Sequence, residues 1–190
     1  MNNVEYSYNQ QHCWQYQQTE VIAVNRMMLM IDVEECTGCR ICELACSIKH
    51  DKAFAPFNAR IRILKDEDDG INVPVVCQHC TDAPCAMVCP LNLYHTDDKT
   101  GAVLCREEAC IGCKACLLAC PYGANTMDSE KAVSIKCDFC DGEPLCIEFC
   151  PTKAIQYVRV DQADHYLKRK FSRKLAQSVK EARVAERSEA

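Results

Sequence analysis

Apolar residues come in short bursts along this chain: MLMIDV, INVPVV, GAVL, AVSI and AIQYVRV. All are too brief for helices and rich in β-branched residues, so each reads as a strand. The first four each lead into a group of cysteines. LYHTDDKTGAVLC has the form of a hairpin with DDKTG as its polar turn, and ANTMDSEKAVSIK has the makings of a second. Beyond residue 160 the period changes. Leu167, Phe171, Leu175 and Val179 recur four apart, which predicts a helix over 161–190. Residues 1–26, rich in Gln, Asn and Tyr, form an extension that is either disordered or draped over a partner. The chain therefore divides into an extension (1–26), a central domain (27–160) and a helical tail (161–190).

Composition changes the picture most through cysteine, which supplies 18 of the 190 residues. The N-terminus has no basic n-region, apolar h-region or twin-arginine pair, and Val21 to Val33 is interrupted by Asn25, Arg26 and Asp32. The expectation is a cytoplasmic protein without a transmembrane segment, where dense cysteine means metal rather than disulfides. The formal net charge of −5 argues against a nucleic-acid partner. Metal-bound thiolates would make the folded protein more acidic still.

Sixteen cysteines form four quartets: Cys36-Cys39-Cys42-Cys46, Cys77-Cys80-Cys85-Cys89, Cys110-Cys113-Cys116-Cys120 and Cys137-Cys140-Cys146-Cys150. The first and third are spaced by two, two and three residues, while the second and fourth widen the middle gap around a proline. This alternation suggests a duplicated two-quartet unit. Three quartets end in Cys-Pro, at Pro90, Pro121 and Pro151. That is the bacterial [4Fe–4S] ferredoxin pattern, in which the fourth cysteine serves the neighbouring cluster. Three closely spaced cysteines wrap one cube, and a gap of three puts the fourth about 6 Å along a helix on the same face. Where Ser47 replaces the proline, the helix is expected to run on through IKHDKAF. Structural zinc explains neither the third cysteine nor the Cys-Pro endings. The cofactor expectation is four [4Fe–4S] clusters, with all sixteen cysteines as iron ligands.

The fold class that follows is α+β, two ferredoxin-like dicluster units of short strands and helices plus a C-terminal helix. The hairpin between quartets two and three favours an inner unit (71–131) inside an outer one (27–70 with 132–160). The second hairpin leaves sequential pairing open. Gly38 and Gly112 are positions for positive φ. Arg40 and Lys114 read either as cations raising a cluster's potential or as solvated charges. His79, inside CQHC, has a supporting or surface role, Cys105 is a buried strand residue, and His12-Cys13-Trp14 is incidental. The tail helix, flanked by Lys168, Arg169, Lys170, Arg173 and Lys174, reads as a solvated helix, a dock for a larger acidic partner, or a membrane-surface helix, in that order.

IDVEECTGCRICELACSIKH, VPVVCQHCTDAPCAMVCP, CREEACIGCKACLLACPYGA and VSIKCDFCDGEPLCIEFCPTKAI resemble the four-cluster ferredoxin-like subunits of bacterial molybdenum and tungsten oxidoreductases. CTGCRICELACSIKH followed by FNARIRILKDEDDGINVPVVCQHC is most similar to the small iron–sulfur subunits beside tungsten enzymes of the aldehyde:ferredoxin oxidoreductase family, including the benzoyl-coenzyme A reductase complex. The resemblance implies nested ligation. Cys36, Cys39 and Cys42 would share a cluster with Cys150, and Cys137, Cys140 and Cys146 one with Cys46. Cys77, Cys80 and Cys85 would go with Cys120, and Cys110, Cys113 and Cys116 with Cys89. It also implies a larger partner carrying a metal–pterin site.

The function expected is single-electron transfer between that catalytic subunit and a further redox subunit or soluble ferredoxin. No catalytic constellation is legible, because His50, His95 and His165 have no evident nucleophile or acid partner in the sequence. The rival is a redox-sensing or structural cluster module, which would call for a labile exposed cluster or a DNA-binding element.

Overall fold

A computed structural model describes residues 26–188. All of the extension but Arg26, including His12-Cys13-Trp14, lies outside the described residues, as do residues 189–190.

Among the described residues the strands form four separate antiparallel ribbons of two. β1 (Met27–Ile31) pairs with β8 (Ile155–Arg159) in the register Met27↔Arg159 and Ile31↔Ile155. β2 (Ile61–Asp66) pairs with β3 (Ile71–Val76), β4 (Tyr94–Thr96) with β5 (Val103–Cys105), and β6 (Thr126–Met127) with β7 (Ser134–Ile135). The expected strands all appear, and both expected hairpins close. Each turn is built on an aspartate. Asp97 Oδ2 accepts from the Thr100 amide at 2.9 Å, and Asp128 Oδ1 accepts from the Lys131 amide at 2.8 Å. Pro74 is tolerated inside β3 because every strand of a two-stranded ribbon is an edge. β2 was not among the expected strands. It joins β3 across Gly70, so the boundary drawn at residues 70 and 71 passes through the turn of one hairpin.

Each quartet carries a helix. α1 (Ile41–Asp51) runs on past Cys46 because Ser47 replaces proline, and it ends at Lys52 in the left-handed conformation, short of Phe54. α2 (Pro84–Met87), α3 (Ala115–Ala119) and α4 (Leu145–Glu148) are single turns that stop before Pro90, Pro121 and Pro151. α1 packs on α4, and α2 on α3. Leu29, Ile61, Ile63, Val76, Phe139 and Ile155 form the main core, interleaved with Cys42, Cys46, Cys77, Cys137 and Cys146.

α5 (Val160–Ser188) leaves directly from β8. Its basic face does not point away from the domain. Lys170 pairs with Asp32 and Glu34, and Lys174 pairs with Glu34, so these two cations are engaged within the chain. The stripe of Leu167, Phe171, Leu175 and Val179 is exposed instead. Among the described residues no helix is long and apolar enough to cross a membrane.

Candidate metal centres

Three cavities gather the cysteines. The first is lined by Cys36, Cys39, Cys42 and Cys150, with Ile63 and Ile155 closing its apolar side. The second holds Cys46, Cys137, Cys140 and Cys146, beside His50 and Arg60. The third holds Cys89, Cys110, Cys113 and Cys116, together with Cys105 at the end of β5. The remaining four sulfurs are Cys77, Cys80, Cys85 and Cys120. Cys77 and Cys120 pack in the main core, and Cys80 and Cys85 in a smaller cluster with Val103 and Cys116.

Local backbone geometry explains how short loops present so many sulfurs inward. The third residue of each quartet's first Cys-x-x-Cys pair is left-handed: Gly38 at φ 68°, His79 at 45°, Gly112 at 66° and Phe139 at 55°. A Cβ at Gly38 would run into the Asn72 side chain, and one at Gly112 into the Ala132 carbonyl. Arg40 and Lys114, also left-handed, open α1 and α3 and are exposed, as solvated charges are.

The sulfurs face hydrogen-bond donors. Backbone N–H groups of Arg60, His79, Ala124 and Ser134 donate to Cys46, Cys77, Cys120 and Cys110 at 3.2–3.4 Å. Burial pushes the Cys42 thiol up to about 12, with Glu43 adding to the shift, and the Cys46 thiol up to about 11. Cys137 is raised by burial and then by its neighbours Cys146 and Cys77. Burial also raises Cys150, but bonds from Thr152 and the following backbone outweigh it and leave this thiol lowered. Bare thiols this buried stay protonated at neutral pH. Cations that displace those protons turn the same groups into thiolate ligands. Four soft donors per site with N–H groups aimed at sulfur suit iron–sulfur clusters.

Several surrounding residues were not foreseen. His50 Nε2 lies 3.5 Å from Asp138 Oδ1 and 3.7 Å from Cys140 Sγ, so it does have an acid partner, one 88 positions away in sequence. Arg60 bonds His50 and also reaches Asp138 at 3.2 Å and Glu107 at 3.3 Å. His79 is 2% exposed rather than superficial and stacks on Phe139 with ring centroids 4.1 Å apart. Its Nδ1 accepts from the Val103 amide at 2.9 Å. Lys136, at the end of the AVSI strand, is buried with Nζ 3.8 Å from Cys85 Sγ. A cation closing an apolar strand just before a cysteine was the available signal for it. Cys105 is half-buried, and its place on the third cavity was hidden because it belongs to no quartet.

The 4Fe-4S dicluster domain profile matches residues 69–160. The polyferredoxin-like subunit of an aliphatic sulfonate oxidoreductase from Pyrococcus furiosus is 43% identical over 66% of this chain and 72% of its own. The Escherichia coli putative electron transport protein YsaA is 40% identical over 75% of this chain and 96% of its own. The chain belongs to the 4Fe-4S dicluster family of electron-transfer proteins. The thiosulfate reductase electron transfer subunit PhsB of Salmonella typhi is a further relative, 31% identical over 74% of this chain and 79% of its own. A chain of the solved active-site complex BamBC of benzoyl coenzyme A reductase aligns with 24% identity, 81% of this chain, 96% of that chain and a TM-score of 0.44. As a dicluster ferredoxin, the protein is a non-catalytic electron-transfer subunit with [4Fe–4S] cofactors.

Proposed function

We propose that the sixteen quartet cysteines hold four [4Fe–4S] clusters in nested pairs and that the protein is the electron wire of an oxidoreductase complex. The sets are Cys36, Cys39, Cys42 with Cys150; Cys137, Cys140, Cys146 with Cys46; Cys77, Cys80, Cys85 with Cys120; and Cys110, Cys113, Cys116 with Cys89. The observation that carries this reading is the lining of the three cavities, each combining three cysteines of one quartet with the fourth of another. Such clusters, when bound, supply reversible one-electron chemistry at potentials set by their surroundings. The chain's own residues set those surroundings. Arg60, His79, Ala124 and Ser134 give N–H bonds that favour negative charge on sulfur. Phe139 and Ile155 exclude water from the middle. Cys39 and Cys113 are exposed, which suits entry and exit of electrons at the first and third quartets.

The partner in this proposal is a larger tungsten- or molybdenum-pterin subunit of the aldehyde:ferredoxin oxidoreductase type, in the cytoplasm of an anaerobe. A soluble ferredoxin or further redox subunit serves the other end. The motif resemblance supports this, as does the naming of relatives as subunits of sulfonate and thiosulfate enzymes. The exposed stripe of α5 is the proposed dock. Protein purified anaerobically is expected to carry about 16 Fe per chain; about 8 would overturn the four-cluster reading. Cys42→Ala and Cys150→Ala are expected to remove the same paramagnetic resonance signal, and loss of different signals would favour sequential pairing. A large subunit containing tungsten or molybdenum is expected to co-purify from the native cell.

A further inference from the structure

Lys136 is 5% exposed, and among the described residues it makes no ion pair with a carboxylate. A buried ammonium without a counter-charge is costly enough that its surroundings identify what it serves. Its Nζ lies 3.8 Å from Cys85 Sγ and 5.2 Å from the centre of the Tyr94 ring. The lysine is thus wedged against the second quartet at Cys85. A half-buried cation near another cysteine site is compensated. Arg60 faces Asp138 and Glu107, whose carboxylates offset its charge at the fourth quartet. At the first quartet the buried charge is of opposite sign, Glu43, whose Oε1 accepts from the Ile63 amide at 2.6 Å. Arg40 and Lys114 are exposed and screened by solvent.

We propose that Lys136 is the fixed counter-charge of the site formed by Cys77, Cys80 and Cys85, and makes that site the preferred resting place of an electron on the wire. The inference rests on the cluster reading above. A thiolate-bound [4Fe–4S] site carries about −2 when oxidised and about −3 after accepting one electron. The electron comes from the adjoining cluster, which is oxidised in turn, and no bond or proton moves. A cation held beside the sulfurs in a low-dielectric interior stabilises the more negative state, and salt does little to weaken it. Lys136 is a positioning residue, acting through its charge on the sulfur ligands.

The test is a potentiometric titration of the intact, cluster-loaded chain followed by paramagnetic resonance, comparing wild type with Lys136→Met and Lys136→Arg. The signal belonging to this site is the one lost in Cys85→Ala. In Lys136→Met the reduction equilibrium of that signal is expected to fall about tenfold, which is about 59 mV for one electron, with the other midpoints unmoved. Lys136→Arg, which keeps the charge, is expected to retain the wild-type midpoint. An unmoved midpoint in Lys136→Met overturns the proposal, and so does an equal fall in Lys136→Arg. If Lys136→Met fails to assemble the site, iron analysis of Lys136→Arg decides. Full iron there supports the charge requirement, and the same loss reduces the lysine to packing. Wild-type iron near 8 would instead count against the four-cluster reading itself, so the two failures are distinguishable.

Discussion

The short and the wide quartets use one backbone turn for opposite ends. All four bend left-handed between their first two cysteines, but Gly38 and Gly112 leave the turn bare whereas His79 and Phe139 fill it with rings. At the bare turns the next cysteine, Cys39 or Cys113, is exposed. At the filled turns the rings are buried against each other, and Tyr157 adds a third ring 5.2 Å from Phe139. A left-handed non-glycine residue costs about 1–2 kcal/mol, while burying a large apolar side chain returns about 1.5–3 kcal/mol and an aromatic pair about 0.5–1.5 kcal/mol more. Strain between the first two cysteines is therefore accepted where the ring seals the middle of the molecule, and at the bare turns it falls instead on Arg40 and Lys114, one position past the exposed sulfur. One backbone turn thus serves two open sites and a closed centre.

The largest test of that contrast is Phe139→Ala. Removing a fully buried ring at the centre is expected to cost about 3–5 kcal/mol, read from the thermal midpoint of cluster-loaded protein. A loss below about 1 kcal/mol would mean that the ring does not seal the middle. Next come the bare turns. Gly38→Ala and Gly112→Ala each take on the left-handed cost of about 1–2 kcal/mol. Gly112→Ala is expected to be the worse of the pair, because its new methyl meets the Ala132 backbone carbonyl while that of Gly38→Ala meets the end of the Asn72 side chain. Equal losses would show that both loops yield alike. The smallest effect lies away from both turns, at the Asp32–Lys170 pair. Burial raises the Asp32 carboxyl, but Lys170 and the amides of Glu34 and Glu35 outweigh it, so the folded value is depressed below 3.8. Its contribution is therefore full above that pH and is lost as pH falls through the folded value. Asp32→Asn is expected to cost no more than about 1 kcal/mol at pH 7, with the gap to wild type narrowing only as pH falls below 3.8.

What was legible in the sequence depended on how local the signal was. Strands before the quartets announce themselves through β-branched runs, both hairpins through their Asp-rich turns, and the bare turns through glycine. The filled turns carry no such mark, because nothing about histidine or phenylalanine in isolation predicts positive φ; only their packing partners, 60 positions apart, make it tolerable. β2 escaped notice because IRILKD precedes no quartet. His50, Asp138 and Cys140 meet only through the fold. Lys168 to Lys174 read as one basic flank, yet Lys170 and Lys174 turn to Asp32 and Glu34, nearly the whole domain away in sequence.

The β1–β8 ribbon makes the first strand synthesised among the described residues the last to find its partner. β1 leaves the ribosome first, but its partner begins at Ile155, so Met27–Ile31 waits unpaired while more than a hundred residues are added. The β4–β5 hairpin needs only a few intervening residues and can close during that wait. A nascent chain can therefore close its three hairpins before the β1–β8 ribbon, and until translation passes residue 159 its first quartet lacks the wall that Cys150 and Ile155 supply.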